Sequence, residues 1–264
     1  MAAAATESSP LKRRRQGVAA VEAVAVASIA ELGNLGEHAV ANVEVAVLQV
    51  GTLRKEPKPS CSVIVGDKSG IVQCVLWDAL ATRMATVLQD KLEEDADGFP
   101  FVSLKGFQVR RLASVAGMEV VKLQSTPRSL VEVQTFMEVK IQVKSNVLTD
   151  FAQLELAKAP FMVHLMGRVM EVSELGEASS GIPMRSASLL SNKGEAVAIK
   201  VHGDLASHEL LVVGQPVFAF YVDIKVSKDP KAAATAFLWS DSYLLSAGPI
   251  VTENLDSKFI VELK

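Results

Sequence analysis

Short runs of alternating hydrophobic and polar residues recur along most of the chain. Such alternation places successive side chains on opposite faces of the backbone, and it is typical of β-strands buried on one face. Three of these runs follow one another in residues 41–53, 61–67 and 71–78. The turn sequence of residues 67–70, Asp-Lys-Ser-Gly, separates the last two runs and predicts a hairpin.

A helical spacing follows the third of these strands. In residues 79–98 the apolar side chains recur at every third or fourth position, which predicts an amphipathic helix. Its predicted buried face consists of Leu80, Met84, Val87, Leu88 and Leu92. Alternation returns in residues 99–112 and 117–125, which predicts a second hairpin. Three strands, a helix and two strands in this order predict a five-stranded Greek-key barrel whose helix plugs one end.

The second half of the chain repeats the first half. Three blocks align without gaps and in the same order: residues 66–81 with 191–206, 98–107 with 214–223, and 122–126 with 237–241. The second copy is predicted to contain strands at 161–175, 183–192, 195–204, 216–226 and 234–245, with a reduced helix at 205–214. The predicted fold class is therefore all-β with short helices, arranged as two tandem five-stranded barrels.

The segments outside the repeats differ from them in composition. Residues 1–17 are small, polar and basic, which predicts disorder, and the Ala-rich stretch that follows predicts a short helix. The predicted organisation is a disordered basic tail with this helix (1–37), domain 1 (38–135), a linker (136–159), domain 2 (160–247) and a C-terminal tail (248–264).

Composition and charge narrow the class of function. The 264 residues are 49% hydrophobic with a formal net charge of −3, which excludes a strongly basic protein but not a local basic groove. No uninterrupted apolar run of about 18 residues occurs, so no membrane association is predicted. A basic cluster of the type read by nuclear import predicts a nuclear protein, with a mitochondrion or another organelle as the alternative. This cluster consists of Lys12, Arg13, Arg14 and Arg15.

Neither a metal site nor a catalytic site is predicted. Cys61 and Cys74 have no further cysteine or histidine at ligand spacing, and a zinc site needs about four ligands. Both are predicted to be buried free thiols in a reducing compartment. The four histidines lie in no nucleophile or metal arrangement, and no Gly-rich phosphate loop occurs. We therefore expect neither an enzyme nor a cofactor.

The residues around Trp77 resemble a known family. A Gly-x-Val strand ends in Trp-Asp after the Asp-x-Ser-Gly hairpin, and SLKGFQV (103–109) and GMEVVKLQSTPRSLV (117–131) follow. This pattern resembles the DNA-binding OB-folds of the replication protein A large subunit, and the resemblance extends to both repeats. It implies tandem OB-folds that bind single-stranded DNA, with an aromatic residue near the end of the third strand stacking on a base. Trp77 occupies that position, and His202 is its counterpart in the second copy.

The chain departs from that family in two respects. A second stacking aromatic usually lies between strands four and five, where this chain offers Leu112 and Met118. The chain also lacks the zinc ribbon of the family's third DNA-binding domain. These departures predict a two-barrel relative of the family.

Alternation predicts which residues face the binding groove. Trp77 shares a face with Gln73 and lies opposite Cys74, which places Trp77 outward; Lys200 and His202 face outward by the same argument. Either Phe237 or Trp239 is a candidate platform, with a core position expected for Phe237. The predicted nucleic-acid contacts are Arg54, Lys55, Lys58, Trp77, Lys105, Phe107, Arg110 and Arg111 in domain 1, and Arg185, Lys200, His202, Lys225, Lys228 and Trp239 in domain 2. The alternative is that the cations are solvated loop charges and that Trp77 caps the core.

These features predict a binding protein of DNA replication, repair or recombination. Single-stranded DNA is expected to bind through backbone electrostatics and aromatic stacking, mostly on domain 1 and largely without sequence preference. One alternative is an OB-fold scaffold in a replication, repair or telomere complex, whose protein partners bind domain 2. Single-stranded RNA is the other alternative, because no residue pattern here reads a 2′-hydroxyl.

Overall fold

The computed structural model of the chain describes nine segments, on which every statement below rests. These are residues 26–94, 98–114, 120–134, 140–143, 147–155, 161–225, 235–239, 241–247 and 259–262. The predicted nuclear-import cluster (Lys12, Arg13, Arg14 and Arg15) and the predicted contact Lys228 lie outside the described residues.

The first repeat folds into a closed five-stranded barrel. Its elements are α1 (Ile29–Leu32), β1 (Val40–Val50), β2 (Ser60–Asp67), β3 (Gly70–Trp77), α2 (Asp78–Glu94), β4 (Phe101–Leu112), β5 (Val120–Gln124) and β6 (Leu130–Val133). The strand order is β1-β2-β3-β5-β4, and β4 pairs again with β1 to close the barrel. Only β3 and β5 are parallel in this circuit. This is the OB-fold topology, with α2 between the third and fourth strands as predicted.

The second repeat folds in the same order. Its elements are β8 (Phe161–Val172), β9 (Gly176–Glu177), β10 (Pro183–Leu190), β11 (Ala196–His202), a 3₁₀ helix (Gly203–Ser207), β12 (Pro216–Lys225), β13 (Thr235–Leu238) and β14 (Tyr243–Ser246). The circuit β8-β10-β11-β13-β12 closes on β8 and matches that of the first barrel strand for strand. The predicted fold class, all-β with two tandem five-stranded OB-fold barrels, is confirmed. We call the two units barrel 1 and barrel 2.

Three further short elements of the described residues, two strands and one helix, belong to neither repeat. The strand β7 (Lys140–Val143) pairs antiparallel with β15 (Phe259–Glu262), so the segment between the barrels and the C-terminal segment share a two-stranded sheet. The helix α3 (Ala152–Glu155) precedes barrel 2. None of the helices that the structure describes is long and apolar enough to cross a membrane.

The core of barrel 1 follows from strand alternation. Val72, Cys74 and Leu76 point into it, while the intervening residues of β3 point outward. Cys61 and Cys74 are buried free thiols, as predicted, and burial raises the pKa of Cys61 to about 11. On α2 the prediction was wrong for Val87, which is 39% exposed. The buried face turns instead towards Ala81 and Ala85, because Leu80, Met84 and Leu88 form its centre and Val87 lies on the far flank.

The second barrel also differs locally from the sequence prediction. The strand expected at 234–245 is divided into β13 and β14 by a turn. In this turn the Trp239 amide donates to Ser242 Oγ, and the Ser242 hydroxyl donates to the carbonyl of Tyr221. The reduced helix expected at 205–214 is the short 3₁₀ helix, which ends at Ser207.

The N-terminal helix α1 is attached to barrel 1. Ile29 and Leu32 are buried in the barrel 1 core cluster. The amide of Ile29 donates to the Asp67 carboxylate and the amide of Ala30 donates to Ser69 Oγ, so the β2–β3 turn satisfies the first free amides of the helix. The predicted helix is therefore present over four residues, packed on the barrel.

A third apolar cluster joins the two barrels. It is formed by the outer faces of β1, β2 and β5 on one side and of β8, β12 and β14 on the other. Its buried members are Ala46, Leu48, Ile64 and Val120 from barrel 1 and Met166, Phe218, Phe220, Tyr221 and Leu245 from barrel 2. Because this cluster takes buried apolar side chains from both barrels, it holds the two domains together.

Tyr221 adds polar contacts to this interface. It lies at an irregularity of the β8–β12 pairing and has a φ of 58°, a backbone strain that its contacts must offset. Its hydroxyl accepts from the Gln73 amide at 2.6 Å and donates to the Val121 carbonyl at 2.9 Å, both in barrel 1. Its own amide donates to Nδ1 of the buried His164 at 3.0 Å.

Replacing Tyr221 with Phe should destabilise the protein by about 2 kcal/mol. The substitution leaves the Gln73 amide and the Val121 carbonyl buried without their partner, and each such loss costs about 1–3 kcal/mol. Denaturant unfolding monitored by circular dichroism measures the change. The control is Tyr243→Phe, since Tyr243 packs against the same cluster through its ring. Equal effects of the two substitutions would contradict the role of the Tyr221 hydroxyl.

The folded protein should also lose stability at acidic pH through His164. Burial lowers the pKa of His164 to about 4 from its ordinary 6.5, so between these values the unfolded chain binds a proton that the folded chain does not. The free energy of unfolding should therefore fall by about 3 kcal/mol as the pH drops from about 6.5 to 4. His164→Asn keeps an acceptor for the Tyr221 amide and should lose this part of the pH dependence. Identical pH profiles of the two proteins would rule out His164 as the group responsible.

Candidate nucleic-acid interface

Trp77 ends β3 on the outer face of barrel 1. It lies opposite Ser60 of β2, its amide donates to Ser125 Oγ at 2.8 Å, and its side chain is half-buried. The indole Nε1 is buried and has no hydrogen-bond partner among the described residues. Gln73, four residues earlier on the same face, is covered by barrel 2. The outer face of β3 is therefore divided between the interface and a surface around Trp77.

A partly enclosed cleft lies beside Trp77, with a cavity volume of about 190 Å³. Its lining residues include Arg54, Ser60, Trp77, Lys122 and Asp241. Asp241 belongs to barrel 2, and its carbonyl accepts from the Gln73 side-chain amide at 2.9 Å. We call this space the Trp77 cleft; both barrels form its walls.

Charges of both signs face the Trp77 cleft. Burial lowers the pKa of the Lys122 ammonium, the nearby Asp241 carboxylate opposes this shift, and Arg110 adds to it. No direct ion pair joins Lys122 to Asp241 among the pairs of described residues. The cleft therefore holds an ammonium donor and a carboxylate acceptor that interact only at a distance.

Barrel 2 carries three nearly parallel rings on its outer face. His202 and Trp239 stack with centroids 4.5 Å apart and planes at 17°, and Phe237 and Trp239 are 5.5 Å apart with planes at 5°. The register explains this alignment, because Phe237 of β13 is paired with Lys200 of the parallel strand β11, beside His202. We call His202, Phe237 and Trp239 the ring platform.

Polar groups surround the ring platform. The Lys225 ammonium lies 4.6 Å from the Phe237 centroid and 5.1 Å from that of Trp239, both within the range of cation–π attraction. Trp239 Nε1 donates to the Asp223 carboxylate at 3.4 Å. Partial burial, followed by the charges of Lys200 and Lys225, lowers the pKa of His202. Protonation of the imidazole is thus disfavoured, and the three stacked rings are flanked by cations.

Trp77 and His202 occupy the same position in the two barrels. Each ends the third strand of its circuit, faces outward and precedes the helical segment. His202 Nε2, like Trp77 Nε1, is buried without a partner among the described residues. Unpaired buried polar atoms are uncommon in protein interiors. Their recurrence at equivalent positions singles out this edge of both barrels.

Several predicted contacts lie on these two surfaces. Arg54 lines the Trp77 cleft, and Lys55 and Lys58 are exposed on the β1–β2 loop that bounds it. In barrel 2 the exposed side chains of Lys200 and Lys225 accompany the ring platform.

Phe107 and Lys105 do not lie in the groove. The β1–β4 register shifts at Gly106, which has a φ of 72° and donates its amide to Asn42 Oδ1. This bulge breaks the alternation of β4, so Phe107 turns inward and is completely buried in the core. Lys105 points outward beside β6, where it forms a 2.6 Å ion pair with Glu132.

The arginines of β4 are engaged by the segment before β1. Arg110 Nε lies 3.3 Å from the Glu37 carboxylate, and Arg111 donates to the carbonyls of Gly33 and Leu35. Arg110 is the register partner of Lys122, which places it one strand beyond the Trp77 cleft. Both predicted contacts thus hold the N-terminal segment against the barrel.

Arg185 lies on the wrong face of β10 for the predicted role. It pairs with Val201 and alternates with Ser186, which pairs with the outward Lys200. Its side chain therefore follows the inward residues Ala187 and Leu189 and does not join the ring platform. Alternation along β10 already indicates an inward Arg185, but the pattern is hard to recognise because Arg185 lies near the beginning of the strand.

Sequence reasoning missed three residues of these surfaces. Phe237 was expected in the core, yet Ala236 and Leu238 point inward and Phe237 belongs to the ring platform. Lys122 immediately precedes the buried Leu123, so alternation along β5 predicts that Lys122 points outward. Asp241 had no such signal, because only the contact between the barrels brings it to the Trp77 cleft.

The strand order and the two outer-face sites define a tandem OB-fold protein. The sequence matches no family model, and no curated protein is significantly similar to it. Solved structures with a similar chain course include a replication protein A heterotrimer bound to single-stranded DNA, at 14% identity and a TM-score of 0.46 over 81% of this chain. That match spans 50% of the replication protein A chain.

Two further similar structures belong to HIN domains. The p204 HINb domain is 14% identical over 80% of this chain and all of its own, with a TM-score of 0.42. The Ifi202 HINa domain, solved in complex with a 20-base-pair duplex DNA, is 8% identical over 78% of this chain and 97% of its own, with a TM-score of 0.39. At these values the fold assignment rests on the strand circuits of the chain itself.

The orientation of β13 can be tested by comparing neighbouring substitutions. Leu238→Ala should destabilise the protein by about 3 kcal/mol, because it leaves a cavity in the barrel 2 core. Phe237→Ala should cost about 1 kcal/mol or less, because it removes only ring contacts on the surface. Thermal or denaturant unfolding measures both changes. A larger cost for Phe237→Ala would place Phe237 in the core instead.

Proposed function

We propose that the chain binds single-stranded DNA through both barrels. The observation that carries the proposal is the recurrence of Trp77 and His202 at the same outward position, each beside cationic side chains. OB-folds bind single strands by combining stacked bases with a basic track for the phosphates. The ring platform supplies stacking surface in barrel 2, and the Trp77 cleft supplies it in barrel 1.

The two sites contribute differently. The β1–β2 loop of barrel 1 provides Arg54, Lys55 and Lys58 for phosphate contacts. Barrel 2 provides three rings and Lys200 and Lys225, which makes it the stronger stacking surface. Binding is therefore shared between the barrels, and the first barrel does not dominate it. The proposed biological role is in replication, repair or recombination of DNA in the nucleus, as a binding protein related to replication protein A rather than as an enzyme.

A specific observation favours protein partners as a second function of barrel 2. The end of β8 and the segment that joins it to β10 expose Glu171, Glu174 and Glu177, and residues 171–182 contain no cation. Leu175 and Ile182 are 49% and 46% exposed on the same segment. Because an acidic wall repels phosphates, this side of barrel 2 suits a basic and apolar protein segment better than a nucleic acid.

Fluorescence titration with an oligo-dT of about 30 nucleotides tests the proposal. A base stacked on Trp77 or Trp239 should quench tryptophan emission, and the affinity should fall steeply between low and moderate salt because phosphate contacts release counterions. Trp77→Ala and His202→Ala should each weaken binding about tenfold or more, as expected for a lost stacked base. Trp77→Phe should restore most of the loss.

Lys105→Ala provides the matched control, since Lys105 is a cation paired with Glu132 away from both sites. This variant should bind like the wild type. Oligo-U and duplex DNA of the same length, titrated in parallel, distinguish the RNA alternative and duplex binding. Absence of salt-sensitive oligo-dT binding at low salt would contradict the proposal and favour the protein-scaffold function.

A further inference from the structure

The Trp77 cleft has chemistry that backbone binding and stacking do not require. Its lining includes Lys122 from barrel 1 and Asp241 from barrel 2, both next to Gln73, together with the aromatic residue Trp77. A carboxylate next to a phosphate-binding track weakens nonspecific electrostatic attraction. Such a group is useful where hydrogen-bond donors of a ligand must be recognised, because an ionised carboxylate only accepts.

The hydrogen-bonding edges of the four bases differ in what they offer to this pair of groups. Guanine carries the O6 acceptor beside two donors, the N1–H and the N2 amino group, so one carboxylate can accept both while one ammonium donates to O6. Thymine offers a single donor between two acceptors. Adenine and cytosine each offer one amino group beside an acceptor nitrogen. Only guanine pairs with both oxygens of the carboxylate and with the ammonium.

We propose that the Trp77 cleft is a pocket for one unpaired guanine of the bound strand. Asp241 accepts from N1–H and the N2 amino group, Lys122 donates to O6, and Trp77 stacks on the ring. The inference rests on the proposed single-strand binding and adds a base preference to it. Since these contacts use the edge that pairs with cytosine in a duplex, the guanine must be unpaired to enter.

The groups of this pocket are held by regular structure. Lys122 lies on β5, where its backbone pairs with Gln73 on one side and Arg110 on the other. Asp241 lies in the turn before β14. Two hydrogen bonds fix this turn, because the Gln73 side-chain amide donates to the Asp241 carbonyl and the Ser242 hydroxyl donates to the Tyr221 carbonyl. Groups positioned before binding lose little freedom when a ligand arrives.

The separation of the Lys122 ammonium from the Asp241 carboxylate is also consistent with a base bound between them. Lys122 and Asp241 interact electrostatically but form no direct ion pair among the described residues. Closing an ion pair would remove both groups from a ligand. The cavity of about 190 Å³ between the cleft walls instead leaves space of the order of one base.

The experiment compares oligomers of about 12 thymidines whose central base is thymine, guanine, adenine or cytosine. Wild-type protein should bind the guanine oligomer about tenfold more tightly than the all-thymine one, with adenine and cytosine close to thymine. A fifth oligomer with hypoxanthine, which lacks the amino group at position 2, should lose a large part of the preference. Fluorescence anisotropy of labelled oligomers at one fixed salt concentration measures all five affinities.

Each variant is compared with the wild type by one ratio, its affinity for the guanine oligomer divided by its affinity for the all-thymine oligomer. Asp241→Asn should reduce this ratio to near one. Asp90→Asn, which makes the same change of charge at an exposed position of α2, should keep the wild-type ratio. Equal affinities of the four natural bases, or an unchanged ratio in Asp241→Asn, would overturn the guanine pocket while single-strand binding stands. Failure of every oligomer to bind would overturn the proposed function itself.

Discussion

The contact between the two barrels determines most of what the protein presents to solvent. Apolar side chains from outer strand faces, which would otherwise be wet, form a third cluster that belongs to neither barrel core. The Tyr221 hydroxyl crosses this cluster and satisfies one amide and one carbonyl of the opposite barrel. Because a buried polar group without its partner is costly, these two bonds favour the observed alignment of the barrels. The strained backbone of Tyr221 is maintained by that alignment.

The same contact explains why two copies of one fold carry different sites. In barrel 1 the interface covers Gln73, and the remaining outer surface of β3 becomes a cleft with a wall from barrel 2. In barrel 2 the equivalent surface instead carries three stacked rings. A repeated sequence thus gives an enclosed site and an open one, although His202 and Trp77 occupy the same place in their strands.

Sequence patterns predicted the barrels because local alternation determines which residues of a strand point inward. Val72, Cys74 and Leu76 on one face of β3, with Trp77 on the other, followed directly from that rule. The rule failed for Phe107, because a bulge at Gly106 adds one residue to β4 and reverses the faces beyond it. Alternation also predicts an outward Phe237 between the inward Ala236 and Leu238, but a core position was expected because aromatic residues are often buried. Asp241 could not be placed from the sequence, since its role depends on a contact between residues that are distant along the chain.

The way the barrels meet has a consequence for assembly. Barrel 1 contributes residues of β1, β2 and β5, whereas barrel 2 contributes β8, β12 and β14, so the two partners use different faces. Such a contact is heterologous, and unlike a two-fold contact it does not close on itself. Barrel 2 partly covers the outer face of β3, whereas the equivalent face of β11 carries the ring platform with Lys200 and Lys225 beside it. Because burying these ammonium groups would cost desolvation energy, this face suits a polar ligand better than an apolar contact of the kind that joins the two barrels.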